Sequence, residues 1–270
     1  MNITDKAMLV SLSIRQWTAR KYDRKITEEV NHTHQSKDAG RFNKLLIEKK
    51  RLSPIQSASN KIRIFHYENT LAWADEGDRL LPVANFFDYS QKINELKTEF
   101  EHAVNEFIGD YDLIIKEAQA NLNGLFNPLD YPSDIRDRFG IKFSFMPVPD
   151  SSDFRISVSK DVLDEMKRTL NEEVSDRLDN ATRSLKSKIK DQLLYMRDRL
   201  SEQNSIFRDS LFGNLESLVD LSPKLNIAQD KSIEMLTLGM RDILVNPQDV
   251  RENYTLRKNI VVKINDLLQM

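Results

Sequence analysis

Apolar residues recur at helical spacing over most of this chain. From Val83 onward, Phe86, Ile93, Leu96, Phe100, Val104, Phe107, Tyr111, Ile114, Ala118 and Leu122 fall three, four or seven apart. The spacing predicts one long helix, and Gly109 interrupts it at a tolerable cost of about 1 kcal/mol. A second stripe runs through Val162, Met166, Leu170, Val174, Leu178, Ala181, Leu185, Ile189, Leu193, Met196 and Leu200. It predicts a helix from Lys160 to Gln203, roughly 60 Å long. The mean step of about 3.8 exceeds the 3.5 of a left-handed heptad seam, so a fairly straight, coiled-coil-like arm is expected rather than a leucine zipper.

Two regions break this rhythm. In LVSLSIRQWTARKYD, Val10, Leu12 and Ile14 alternate with polar residues, the period of a strand. Between the long helical tracts lies an island, Gly124 to Phe154, holding Pro128, Pro132, Pro147 and Pro149. Ser133 is placed to cap a short helix there. Ile141, Phe143 and Phe145 read as a strand ended by the last two prolines, and Phe154, Ile156 and Val158 as a second. Elsewhere, a helix near residue 26, a break at Lys37–Gly40 and a short helix before Pro54 are expected. Pro54 then suits the first turn of a helix capped by Ser53. Thr70 to Pro82 reads as a connector with a turn at Glu76-Gly77-Asp78 and room for a two-strand excursion. After Leu221 and Ser222-Pro223, two shorter helices follow, at about 230–244 and 248–268.

The fold class is mainly α (α+β): a long-helix bundle or helical arm with a small antiparallel β element. The organisation expected is an N-terminal α+β region, 1–158, and a C-terminal helical region, 159–270. Seven glycines in 270 residues suit helices joined by few turns. Cysteine is absent, which excludes disulfides and thiol chemistry and fits a reducing cytoplasm. Ala7 to Ile14 is too polar for a signal sequence, and no apolar run reaches membrane-spanning length. A cytoplasmic location follows as the expectation.

The net charge of −2 hides an asymmetry. Residues 1–67 carry 14 Lys/Arg against 6 Asp/Glu, and residues 68–137 carry 5 against 15. Either the basic segment attracts an acidic partner, or the two segments neutralise each other internally. Two basic groups are candidate nucleic-acid contacts. Arg15, Arg20, Lys21, Arg24 and Lys25 are interleaved with Trp17 and Tyr22; Arg183, Lys186, Lys188 and Lys190, with Arg197 and Arg199, lie along the long helix. Basic residues beside aromatics hold phosphates and stack bases. His32 and His34 would share a metal with Glu28 or Asp38 on a strand, but on a helix they diverge. The carboxylates at Asp75-Glu76-Asp78, Asp110/Asp112 and Glu172-Glu173 read as solvated faces rather than acid–base machinery. No catalytic residue, metal site or cofactor is assigned.

The segment LVSLSIRQWTARK, the approach Tyr111/Ala118/Gly124-Leu125-Phe126, Tyr131-Pro132-Ser133 and Phe143-x-Phe145-x-Pro147-x-Pro149 together resemble the DUF3150 family of phage and bacterial proteins, over about residues 8–210. The resemblance implies no active site. It implies genomic company with a MoxR-type AAA+ ATPase and a von Willebrand factor A-like protein. The expected function is therefore a non-enzymatic interaction or assembly protein, phage-borne and in the host cytoplasm, acting as adaptor to such an ATPase. Nucleic-acid binding through 15–25 and 183–199 is the alternative. The long helix should dock a protein partner, or a second copy, through an exposed stripe containing Leu178, Leu185, Ile189 and Met196.

Overall fold

A computed structural model describes residues 3–74, 77–150, 159–202 and 206–270. The protein is mainly helical, with a small antiparallel sheet. Along the chain run β1 (Ala7–Arg15), β2 (Arg20–Tyr22), α1 (Arg24–Thr33), β3 (Asn43–Leu45), α2 (Lys49–Asn69), β4 (Leu71–Ala72) and β5 (Arg79–Pro82). Then follow α3 (Phe86–Gly109), α4 (Tyr111–Leu122), β6 (Gly140–Pro147), α5 (Lys160–Ser201), α6 (Ser210–Leu225), α7 (Lys231–Arg241), α8 (Pro247–Glu252) and α9 (Tyr254–Leu268). One sheet has the order β4-β5-β1-β6, and β2 pairs with β3 alone.

The chain forms two compact units interleaved in sequence rather than divided at residue 158. The larger comprises Met1–Ser11, Tyr67–Ser90 and Ser144–Met270; the smaller comprises Leu12–His66 and Gln91–Phe143. Each passage from one to the other falls inside β1, α2, α3 or β6 rather than in a loop.

Several elements differ from expectation. The segment before Pro54 is not a separate helix. Asn43–Leu45 is a strand, and α2 starts at Lys49 and carries Pro54 near its beginning, where a missing N–H costs one early hydrogen bond. The tract after Val83 divides into α3 and α4 at Gly109–Asp110. The island forms 3-10 turns at Asn123–Leu125, Pro128–Asp130 and Arg136–Arg138 in place of a helix capped by Ser133. α6 runs through Pro223 to Leu225. The last tract splits into α8 and α9 at Asn253, whose side chain accepts the Leu256 N–H and caps α9. The expected strand at 154–158 and the end of the long helix at Gln203 lie outside the described residues.

In the smaller unit, Lys61 pairs with Glu99 at 2.9 Å and Arg51 with Glu117, so α2 runs antiparallel to α3 and α4. Ile55, Ile62, Ile93, Phe100, Val104 and Ile114 form its core. The proline-rich island is tied to β3 and its flank. Buried Lys44 donates to the Leu125 carbonyl at 2.8 Å and pairs with Asp130 at 2.7 Å, while Tyr131 Oη donates to the Leu46 carbonyl at 2.7 Å.

In the larger unit, the second half of α5 is the spine. Ala181, Leu185, Ile189, Leu193, Met196 and Leu200 are buried among Leu215 and Leu218 of α6, Leu236 and Met240 of α7, and Ile260 and Ile264 of α9. Leu9, Leu71 and Leu80 from the sheet join the same core. α7 and α9 approach closely at Gly239, where any Cβ would run into the buried Leu267 side chain. Gly239→Ala should therefore destabilise the protein by about 1–3 kcal/mol in urea unfolding, despite alanine's better helix propensity. Adding Leu267→Ala should make the double variant less costly than the two single changes summed.

Candidate functional site

α5 divides into two halves that differ in burial. No residue from 160 to 180 is buried, although Leu163, Met166, Leu170 and Val174 lie three or four apart along one face. Val162 is 48% exposed. Packing against the core begins with the partly buried Val174 and Leu178. The first half also carries seven Asp/Glu against four Lys/Arg. It is an acidic stretch of helix with a half-buried apolar stripe.

The partner stripe expected from the sequence needs correction. Leu185, Ile189 and Met196 are at most 2% exposed and belong to the core, and Leu178 is packed against it. The periodicity is continuous through α5, but α6, α7 and α9 reach only its second half. The apolar positions of α5 that lie outside the core are the earlier ones, the half-buried Leu163, Met166 and Leu170.

The basic residues divide between the two units. In the smaller one, Arg15, Arg20, Lys21, Arg24 and Lys25 are all exposed. Arg24 is engaged by Glu28 at 2.6 Å. Arg20 and Lys21 find no ion-pair partner among the described residues and stand beside Tyr22, which is 46% exposed. Trp17 is not displayed for stacking: it packs edge-on to Phe107 and Tyr111, with centroids 6.3 and 6.1 Å away.

In the larger unit, Arg183 donates to Asn180 at 2.6 Å, and Lys190 is half-buried. Lys186 is committed to architecture, pairing at 2.7 Å with Asp230. Asp230 is also the N-cap of α7 and accepts the Ser232 and Ile233 N–H groups. The Lys186 ammonium, the Ser232 hydroxyl and these backbone donors hold its carboxyl at about 2, below the ordinary 3.8.

Arg257 of α9, a residue with no distinguishing sequence pattern, is buried at the end of α5. Its guanidinium donates to the Leu200 carbonyl at 2.7 Å, to the Arg199 carbonyl at 3.0 Å and to the Glu202 carbonyl. These are orphan acceptors of a helix C-terminus.

A groove of about 590 Å³ lies between α5 and α6, lined by Ser184, Ser187, Lys188 and Gln192 of α5, by Asn214 and Leu218 of α6, and by Glu68. Lys188 is half-buried, and its Nζ donates to the Glu68 carbonyl at 3.4 Å. Burial pushes this ammonium below its usual value; the Glu68 carboxylate opposes the shift and Arg79 adds to it. Arg79 itself donates to Thr70 and stacks over the Tyr67 ring, 4.7 Å from its centroid.

The other candidates stay apart. His32 and His34 are exposed at the end of α1. No group of three or more His, Cys, Asp or Glu side chains suited to a metal occurs among the described residues. Asp110 lies 3.9 Å from Arg51, Glu172 and Glu173 are exposed, and Asp75 and Glu76 fall outside the described residues. Among the described residues, no helix is long and apolar enough to cross a membrane. No family model, curated protein or solved structure matches the chain.

The depressed Asp230 carboxyl has a direct pH consequence. Its contribution to stability is complete above about pH 4, where it is ionised in both folded and unfolded chains. The contribution is lost as pH falls through about 2, where the folded carboxyl takes up its proton. Asp230→Asn keeps a cap but loses the ion pair, so it should cost about 0.5–1 kcal/mol at pH 7. In urea unfolding, the gap from wild type should close between pH 4 and 2. A gap unchanged at pH 2 would remove the ion pair as its cause.

Proposed function

We propose that this is a non-enzymatic interaction and assembly protein that docks another protein through the first half of α5. The observation that carries this reading is the half-buried stripe Leu163, Met166 and Leu170, outside the core, on a helix whose continuation forms the core. An apolar helix face of this kind is what helix-in-groove and helix-on-helix recognition uses. The acid excess around it favours a partner surface of net positive charge. The resemblance to the DUF3150 family makes a MoxR-type AAA+ ATPase the first partner to test, with the protein as its adaptor. The organisation of the second half of α5 supports a division of labour: one helix is anchored by burial at its C-terminal end and offers its N-terminal end for docking.

Leu170→Glu is expected to keep the unfolding free energy within about 1 kcal/mol of wild type, since Leu170 is only half-buried and lies outside the core. The same change should abolish co-purification with a MoxR-type AAA+ ATPase. Binding should survive nuclease and moderate salt. Leu185→Glu, by contrast, should unfold the larger unit, because it buries an unpaired charge. Undiminished association of the Leu170→Glu protein would defeat the docking assignment.

A second reading, nucleic-acid binding, is favoured by Arg20 and Lys21 standing exposed beside Tyr22. It requires binding that weakens steeply with salt and a shallower salt slope in an Arg20→Glu/Lys21→Glu variant. Absence of binding to single- or double-stranded DNA and RNA at low salt would eliminate it.

A further inference from the structure

The α5–α6 groove has a layered chemistry that is independent of the docking half of α5. Its rim is formed by exposed groups: the hydroxyls of Ser184, Ser187 and Ser217 and the carboxylates of Glu68 and Asp191. Its floor is different. Leu218 is buried, Leu221 and Lys188 are half-buried, and Gln192 Nε2 is fully shielded and finds no acceptor among the described residues. A buried donor without an acceptor is costly and calls for a physical explanation.

One turn of α5 separates Gln192 from Lys188, which puts the two side chains on neighbouring positions of one face. Lys188 has three donors. Its only hydrogen bond among the described residues is the long one to the Glu68 carbonyl, and no carboxylate lies within 4 Å of it. The floor therefore pairs a cation and an amide donor, both short of acceptors, with two leucine side chains. A ligand suited to it carries an acceptor-rich group on a short apolar stem.

Charge decides between the acceptor groups. Glu68 and Asp191 at the rim repel a doubly charged phosphate, whereas a planar carboxylate carries one negative charge and two oxygens for two donors. We propose that this groove is a binding site for a carboxylate on an apolar stem, held by Lys188 and Gln192 over Leu218 and Leu221. The volume of about 590 Å³ leaves space for the body of such a ligand above the floor. A small carboxylic acid and the carboxyl terminus of a polypeptide both present such a carboxylate, and the recognition chemistry is the same.

The test is a titration of the full chain with N-acetyl-leucine, followed by the side-chain amide resonance of Gln192. Chloride and inorganic phosphate at matched ionic strength serve as controls. A saturable shift is expected with N-acetyl-leucine, a weaker one with acetate, which lacks the stem, and none with either control. Lys188→Met keeps the apolar stem of the side chain and the fold, and should weaken binding at least tenfold. Gln192→Leu, followed by calorimetry, should weaken it as well. Tighter binding of a short peptide ending in leucine than of N-acetyl-leucine, lost in the amidated peptide, identifies a polypeptide terminus as the source. Equal affinity of N-acetyl-leucine and that peptide identifies a small acid. An equal response to chloride or phosphate, or undiminished binding in the Lys188→Met protein, would overturn the proposal.

Discussion

An amphipathic helix buries only as much of its stripe as its neighbours can reach. α5 carries one apolar stripe for its whole length, but the core buries it fully only from Ala181 to Leu200, with Val174 and Leu178 partly packed at the boundary. That limit shapes the larger unit. Where the stripe is covered, it supplies the most completely buried side chains of the core, and removing any of them leaves a cavity that rigid neighbours cannot close. Where it is only half-buried, the same residue types leave apolar surface that water meets unfavourably. One repeating pattern thus provides both an anchor and an interface, and the boundary between them is set by the lengths of the packing helices.

Charged side chains hold this arrangement at its ends. Arg257 reaches from α9 to the terminal carbonyls of α5, satisfying acceptors that the helix itself cannot. Lys186 reaches from α5 to the capping carboxylate of α7. In the smaller unit, Lys44 serves both Asp130 and the Leu125 carbonyl, clamping a segment too rich in proline to form regular structure. Each cation is bonded to several acceptors or to a carboxylate already engaged by backbone, the condition under which a buried or half-buried charge is tolerable.

Much of this was legible in the residues. The stripes of α3, α4 and α5, the β1 strand and the strand before Pro147 follow from apolar spacing alone. Short elements were less accessible: β3 has three residues, and the contacts of Lys44 and Leu46 run to an island distant in sequence. Periodicity also cannot distinguish a covered stripe from a displayed one, which is why Leu185, Ile189 and Met196 looked like partner contacts. For the same reason, Lys186 looked like a free cation although the N-cap of α7 claims it. Arg257 carried no signal, because one arginine on an amphipathic helix resembles any other until its neighbour's end is located. The groove floor was hidden too, since it combines residues of α5 and α6 that the sequence separates.

The interleaving of the two units has a consequence for the order in which the protein is made. Every residue of the smaller unit has been synthesised by Phe143, before any of α5 exists. The larger unit is different, because Leu9, Leu71 and Leu80 share a core with Ile260 and Ile264. At ordinary translation speeds, the interval between Leu80 and Ile264 is on the order of ten to forty seconds. During that time the hairpin of β4 and β5 and the first turns of β1 wait on the ribosome without their final covering. The nascent chain therefore presents apolar strands to chaperones and proteases for longer than a protein whose core is contiguous in sequence, because the core stays open until α9 has emerged.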